Sequence, residues 1–380
     1  MRVWAVVGTL AVTSCSTPSP VQSTASGFEV EANGARAVVE RTWTLSARGH
    51  GIGVFLGAVR CGETLLLADS NGGIRTMDLQ TSETGPTLAA DALAMSIAAD
   101  CDQRIVYALG PSRTNAGQGR GMVLRGFDMI SGTERVTLAL ATTMMPAIVG
   151  TVSGGVFVTG GLWMPTPVAS YEHPPAPLFY RDKKIGIRVR LADGHAEPAF
   201  DPYDMACRGG GRCVGGSLLP LASPAPARWL ASQPASREIA LYDEQRRLLR
   251  RIDISSPLFK QDGRSIEVTD AEASMHWSTS NSLVKVAVPI GDHLVTIHTV
   301  VRLPAHYVFG QSVDFDWWMN VHSIEGQKLV SDIAIPGWPV GRDDDAIYAV
   351  DYGSAGRHSA PDSVKVLRMP VQAGSAGFLR

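Results

Sequence analysis

The stretch GETLLLADSNGGIRTMDLQTSETG, residues 62–85, sets a pattern that the rest of the chain repeats. Its apolar run from Leu65 to Ala68 stops at Asp69, and Asn71-Gly72-Gly73 then supplies a tight turn. An alternating run from Ile74 to Leu79 follows and ends in a second polar turn, Gln80 to Glu83. Two β runs joined by an Asn-Gly turn make a hairpin, because Gly and Asn tolerate the positive φ angles that such turns demand. With GVFLGAVRCG (53–62) before it and GPTLA (85–89) behind it, the hairpin becomes the middle of a four-strand unit.

The same order recurs along the chain. Residues 93–100, 104–110, 122–133 and 135–142 give a second unit, and residues 147–155, 156–161, 185–194 and 196–200 a third. A fourth reads GSLLPLAS (216–223), ARWLASQ (227–233), EIALYDEQRR (238–247) and LLRRIDIS (248–255). Residues 282–291, 293–301, 317–327 and 329–337 give a fifth. The sixth has only WPVGRD (338–343), DAIYAVDYG (345–353) and SVKVLRMP (363–370), and ARAVVERTWTLS (35–46) is the strand available to complete it. A strand from one terminus completing a unit at the other closes a ring and leaves no unpaired edge at the join. The expected fold is therefore all-β, a six-bladed β-propeller closed by an N-terminal strand and spanning residues 35–380. The blades around DSNGGIRTMDL and DDDAIYAVDYG resemble those of NHL-type six-bladed propellers, including bacterial six-bladed propeller lipoproteins.

The N-terminus reads MRVWAVVGTLAVTSC: Arg2, an apolar run from Val3 to Val12, then small residues before Cys15. The run is shorter than the ~20 apolar residues that span a bilayer, so residues 1–14 are expected to be a signal peptide. Val12-Thr13-Ser14-Cys15 resembles the lipobox of bacterial lipoproteins, which implies lipid on Cys15 and places the protein on the periplasmic side of the outer membrane or on the cell surface. An ordinary cleaved secretory signal is the alternative. After Cys15 the segment 15–34 continues STPSPVQSTASG (16–27), a composition without core-forming side chains, and is expected to be a tether. Five cysteines are an odd number for an exported chain. Lipid on Cys15 leaves Cys207 and Cys213, which close the short loop CRGGGRC, and Cys61 with Cys101; two disulfides are expected in an oxidising compartment. A metal site is the rival, but these cysteines lack both a C-x-x-C and a histidine at ligand spacing.

Hydrophobic residues make up 45% of the 380 and charged residues 18%, which provides for a large core. The net charge of −2 comes without a basic run, so nucleic acid is not an expected partner.

In a propeller the loops joining second to third strands and those joining successive blades emerge on one face. The long connections here are of those two kinds: 111–121, 161–184 and 302–316 within units, 201–216 and 257–280 between them. They carry Trp163, Tyr171, Glu172, His173, Phe179, Tyr180 and Arg181 in one loop, His306, Tyr307, Asp314 and Asp316 in a second, and His276 and Trp277 in a third. Aromatic rings beside a few polar groups suit a small molecule or a peptide. A cap that meets no ligand is the bland reading, and one of Trp317 and Trp318 is core by strand alternation.

Catalytic signatures are weak. Asp314-Phe315-Asp316 and Asp343 to Asp345 offer oxygens to a hard cation such as calcium, yet no Glu, Asn and Asp trio matches the calcium-dependent lactonase-type propellers. Asp69 and Asp351 end corresponding second strands and are expected to hold turns. His293 and His298, an odd number of residues apart, face opposite sides of a strand. The chain contains no G-x-S-x-G, H-E-x-x-H or phosphate-loop motif. The favoured function is a membrane-tethered scaffold that binds a peptide, glycan or envelope protein through the loop-rich face. The alternative is a metal-dependent hydrolase or lyase working at the central channel.

Overall fold

The computed structural model describes residues 28–31, 34–46, 51–89, 94–111, 122–140, 147–152, 155–163, 184–198, 229–232, 236–243, 247–261, 279–303, 313–353 and 361–371, with single positions at 245 and 306. Strands dominate. β1 (Phe28–Glu31), β2 (Gly34–Ala37) and β3 (Arg41–Ser46) precede a first unit of β4 (Phe55–Cys61), β5 (Thr64–Asp69), β6 (Ile74–Asp78) and β7 (Thr84–Leu88). A second unit holds β8 (Ser96–Asp100), β9 (Ile105–Pro111), β10 (Met122–Asp128) and β11 (Glu134–Leu140). A third holds β12 (Ala147–Val152), β13 (Gly155–Trp163), β14 (Lys184–Arg190) and β15 (Ala196–Pro198). β16 (Trp229–Ser232), β17 (Glu238–Tyr242) and β18 (Leu248–Asp253) form a fourth, and β19 (Leu283–Ile290), β20 (His293–Arg302), β21 (Asp314–Ser323) and β22 (Lys328–Ala334) a fifth. β23 (Trp338–Arg342), β24 (Ala346–Asp351) and β25 (Ser363–Pro370) come last. Within each unit neighbouring strands pair antiparallel in chain order.

The opening stretch is β5, β6 and their turn. β5 and β24, each the second strand of its blade, are buried along nearly their whole length, because each lies between neighbouring blades on both faces. That is why they read as continuous apolar runs rather than alternating ones. The turn between third and fourth strands repeats one device. Asp78 Oδ1 accepts from the Gln80 and Thr81 amides at 2.8 and 2.7 Å, and Asp128 Oδ1 from the Ile130 and Ser131 amides at 3.0 and 2.9 Å. Asp243 Oδ1 takes the Arg247 amide at 2.8 Å between β17 and β18, which marks these as third and fourth strands of their blade. β16 is then its second strand, and the sequence candidate for the first, residues 216–223, lies outside the described residues.

Apolar clusters fill the seams between successive blades. Phe55, Leu65, Leu67 and Met77 of the first unit pack with Trp43, Leu45, Tyr348, Val350 and Val366. Ile97, Val106 and Phe127 pack against Leu66, Ala68 and Ile74, and Val189 joins Tyr107, Leu109 and Leu124. Ile239 and Ile252 meet Val284 and Leu294, while Ile297, Trp317 and Met319 meet Ile347 and Met369.

The ring closes as the repeat requires, with a shorter strand than the sequence suggests. β3 pairs antiparallel with β25 from Ser46↔Ser363 to Arg41↔Arg368, and β23 pairs parallel with β4, so the last and first blades share one eight-stranded sheet. The closing strand runs from Arg41 rather than Ala35. Residues 34–37 instead form β2, which pairs with β1 and bridges to β22 at Arg36↔Ala334. Ala37 is buried in the seam between the fifth and last blades, so the chain must leave the fifth blade there before joining the last. Phe28–Glu31 is thus a strand inside the segment whose composition suggested only a tether; Asn33-Gly34 is its hairpin signal.

Candidate functional site

Two faces follow from this topology. One, the turn face, carries the short connections between first and second and between third and fourth strands. The other, the loop face, carries the strand ends from which every long connection departs: Pro111 and Met122, Trp163 and Lys184, Arg302 and Asp314.

The turn face is tied together. Cys61, ending the first strand of one blade, is bonded to Cys101 in the first turn of the next, with Cα atoms 5.4 Å apart. On the other side of the first blade, Arg60 donates to Asp343 Oδ2 at 2.9 Å. Tyr348 Oη donates to the same oxygen at 2.8 Å and Arg368 Nε at 3.3 Å, while Arg368 also pairs with Asp345 and with Glu40 of the N-terminal segment. Asp343 Oδ1 accepts from the Asp345 and Ala346 amides. Burial works against this carboxylate, but the hydrogen bonds from Tyr348 and Arg60 hold it below the usual range; burial and the Asp343 bond push the Tyr348 phenol up to about 12. Asp343 is therefore not free to take a cation. Its oxygens are already filled by cationic and neutral donors, so the calcium reading does not hold for Asp343.

Asp69 and Asp351 hold turns, as expected. Asp69 Oδ1 accepts from the Gly53 amide at 2.9 Å and the Asn71 amide at 2.8 Å, while its other oxygen pairs with buried Arg75. A Cβ on Gly53 would lie 2.5 Å from Asp69 Oδ1, so only glycine lets the entering chain reach this carboxylate. Asp351 Oδ1 accepts from the Gly353 amide at 2.8 Å. The buried Asp69–Arg75 pair carries no sequence signal beyond two charges flanking a turn.

On the loop face the fifth blade presents Asp314 and Asp316 at the start of β21, opposite Arg302 and Val300 of β20. Both acids alternate onto the sheet face that packs against the fourth blade. Arg302 Nη2 reaches Asp316 Oδ1 at 3.1 Å. Burial and the neighbouring Asp314 raise the Asp316 pKa, with Arg302 and Lys260 pulling the other way. Half-buried Trp318 follows on the same face, and His306 is exposed in the connection above. Trp317 points the other way and is the core member of the pair: it stacks on Phe315 at 5.8 Å and meets Trp338 edge-on at 4.7 Å. Trp163 ends β13 opposite Lys184. Tyr171, Glu172, His173, Phe179, Tyr180, Arg181, His276, Trp277 and Tyr307 lie outside the described residues, as do Cys15, Cys207 and Cys213. The structure thus brings Asp314 and Asp316 together with Arg302 and Lys260, which sequence reasoning did not include. Such an edge can accept hydrogen bonds from a polar ligand and offer an aromatic surface beside them. Among the described residues no three His, Cys, Asp or Glu side chains are grouped to hold a metal.

No protein-family model and no curated protein matches the sequence. Solved structures do resemble the fold. A member of the DUF4221 family from Bacteroides vulgatus is similar over 87% of this chain and 96% of its own, with a TM-score of 0.61 at 8% identity. The chain is a β-propeller. At that identity the likeness speaks for the fold alone. The hydrazine synthase of Kuenenia stuttgartiensis (TM-score 0.46, 12% identity, 78% of this chain and 73% of that one) is similar more loosely. So is the β-propeller domain of Myceliophteria thermophila Cps50 (Swd1), with a TM-score of 0.43 at 9% identity over 85% of this chain and 98% of that one.

Proposed function

We propose that this propeller has six blades, is exported and lipid-anchored through Cys15, and serves as a scaffold that holds a peptide, glycan or envelope protein on its loop face. The observation that carries the reading is the asymmetry of the two faces. The turn face is spanned by a disulfide and by a carboxylate shared among Arg60, Tyr348 and Arg368. The loop face carries the ends of every long connection and a half-buried acidic edge at Asp316. A rigid ring with variable loops on one side is a common way to present a binding surface. A disulfide between Cys61 and Cys101 suits an oxidising compartment, which supports export.

Two experiments test the reading. Metabolic labelling with a fatty acid should mark the wild-type chain and not Cys15→Ser; equal labelling of both would sink the anchor. A soluble form beginning at Phe28 should bind members of a glycan or peptide array, and Asp314→Asn with Asp316→Asn should weaken that binding at least tenfold at unchanged melting temperature. Asp102→Asn, in an exposed turn of the opposite face, should leave binding unaltered. Equal effects from both faces would remove the loop face from the account.

A further inference from the structure

Among the described residues, eight buried side-chain nitrogen and oxygen atoms have no hydrogen-bond partner: Ser232 Oγ, Arg250 Nε, Thr296 Oγ1, Thr299 Oγ1 and both ring nitrogens of His298 and His322. All but that of Thr299 belong to one place, the seam between the fourth and fifth blades. Thr296 and His298 share a face of β20 with Leu294, which packs against Ile239 and Ile252 of the fourth blade. His322 sits opposite Leu294 on β21, so it shares that face. Ser232 pairs with Ile239, so it points into the seam from the other side. His298 is 1% exposed, with its ring 5.1 Å from that of Phe259; His322 is 0% exposed. On the opposite face of the fifth blade, which packs through Ile297, Trp317 and Met319, Thr299 Oγ1 is the one such atom among the described residues.

We propose that the seam between the fourth and fifth blades is an acid-operated joint: protonation of His298 and His322 parts these two blades while the rest of the ring stays closed. A neutral imidazole tolerates burial at the cost of unmade hydrogen bonds, but an imidazolium there would be an unpaired buried charge. Among the described residues the surrounding charges do not supply a counter-ion to both rings. Around His298 the same face carries Asp314 and Asp316 with Arg302, and Lys260 comes from the linker; burial is what lowers the His298 pKa. Around His322, burial and Lys328 disfavour the cation and Asp253 opposes them, while Arg250 lies across the seam with a bond to the Ile324 carbonyl. Bonds from the linker hold the joint at its outer side. Asn320 Nδ2 donates to the Ile254 carbonyl, and Ser256 donates to Asp332, whose amide donates to Asn320 Oδ1.

Hydrogen exchange of the full chain, corrected for the intrinsic effect of pH, tests this. Between pH 7.5 and pH 5, amides of β16, β17, β19 and β20 should exchange at least tenfold faster, while those of β4, β5 and β24 keep their protection. The double variant His298→Leu, His322→Leu should lose this pH dependence. Should that variant fail to fold, the wild-type pattern decides alone. Uniform loss of protection, loss that starts at β4, β5 and β24, no loss at pH 5, or a folded double variant that still opens in acid would each overturn the proposal.

Discussion

The seam between the last and first blades and the seam between the fourth and fifth are made of equivalent strands, yet they are held by opposite means. In the first, no described buried side chain has a polar atom without a partner. Trp43 Nε1 on the closing strand donates to the Leu79 carbonyl at 2.9 Å, Tyr352 Oη accepts from the Phe55 amide at 2.7 Å, and Asp343 gathers Arg60, Tyr348 and Arg368. The inner strands approach so closely that a Cβ on Gly341 would fall 2.2 Å from the Ala58 carbonyl oxygen. In the second, two histidines, a threonine and a serine are buried with their polar atoms unused. A ring need only be weak at one seam to open, and satisfied polar groups are what make a seam strong.

The largest effect should come from the closing strand. Trp43→Ala removes a buried indole and strands the Leu79 carbonyl, and should cost about 3–5 kcal/mol in urea unfolding. If it cost under 1 kcal/mol, closure would not depend on β3. Next is the disulfide. Its bonded cysteines are 40 residues apart, and the loop-closure estimate for that length is about 4 kcal/mol, so Cys61→Ala with Cys101→Ala should lower the melting temperature by several degrees. A variant as stable as the wild type would show that the ion pairs alone secure the turn face.

Acid should separate the two seams by pH. His298 and His322 fall from the ordinary 6.5 to about 4 in the folded state, so the folded chain binds fewer protons than the unfolded one. Their stabilising effect is complete above pH 6.5 and is lost as pH falls towards 4, by roughly 2 kcal/mol each at pH 5. Asp343 is depressed from 3.8, so its contribution is complete above that value and is lost progressively below it, where the histidines have already titrated. Stability measured from pH 8 to pH 3 should therefore fall in two stages, and a single fall below pH 4 would erase the distinction. The smallest effect contrasts two buried threonines. Thr76 Oγ1 donates to the Pro86 carbonyl at 2.8 Å, so Thr76→Val should cost about 1 kcal/mol, whereas Thr296→Val removes an unused hydroxyl and should be neutral or stabilising. Equal costs would mean that the Thr296 hydroxyl is satisfied in solution.

Much of the fold could be read locally. The Asp-anchored turns at Asp78, Asp128 and Asp243 follow from side chains that bond their own backbone within four residues. The second strands announce themselves because burial on both faces needs an unbroken apolar run, as in Leu65 to Ala68. The candidate site was legible only in part. Asp314 and Asp316 alternate onto one face by strand period alone, and Trp317 against Trp318 follows from the same rule. Arg302 and Lys260 were not foreseen as their companions, because one arrives across a hairpin and the other through a blade-to-blade linker.

The sequence by itself determined the repeat, the closing strand's role and the chemistry of each turn, since these depend on residues near one another along the chain. Only the tertiary structure decided where the charges and the polar orphans go. Asp343 looked like a cation ligand beside two other aspartates until Arg60, 283 residues away in the chain, was found in contact with it. His298 looked like one more residue of a strand until a neighbouring blade covered it. Partners separated by hundreds of residues meet because a ring brings its ends together, and the local pattern of either partner contains no record of that meeting.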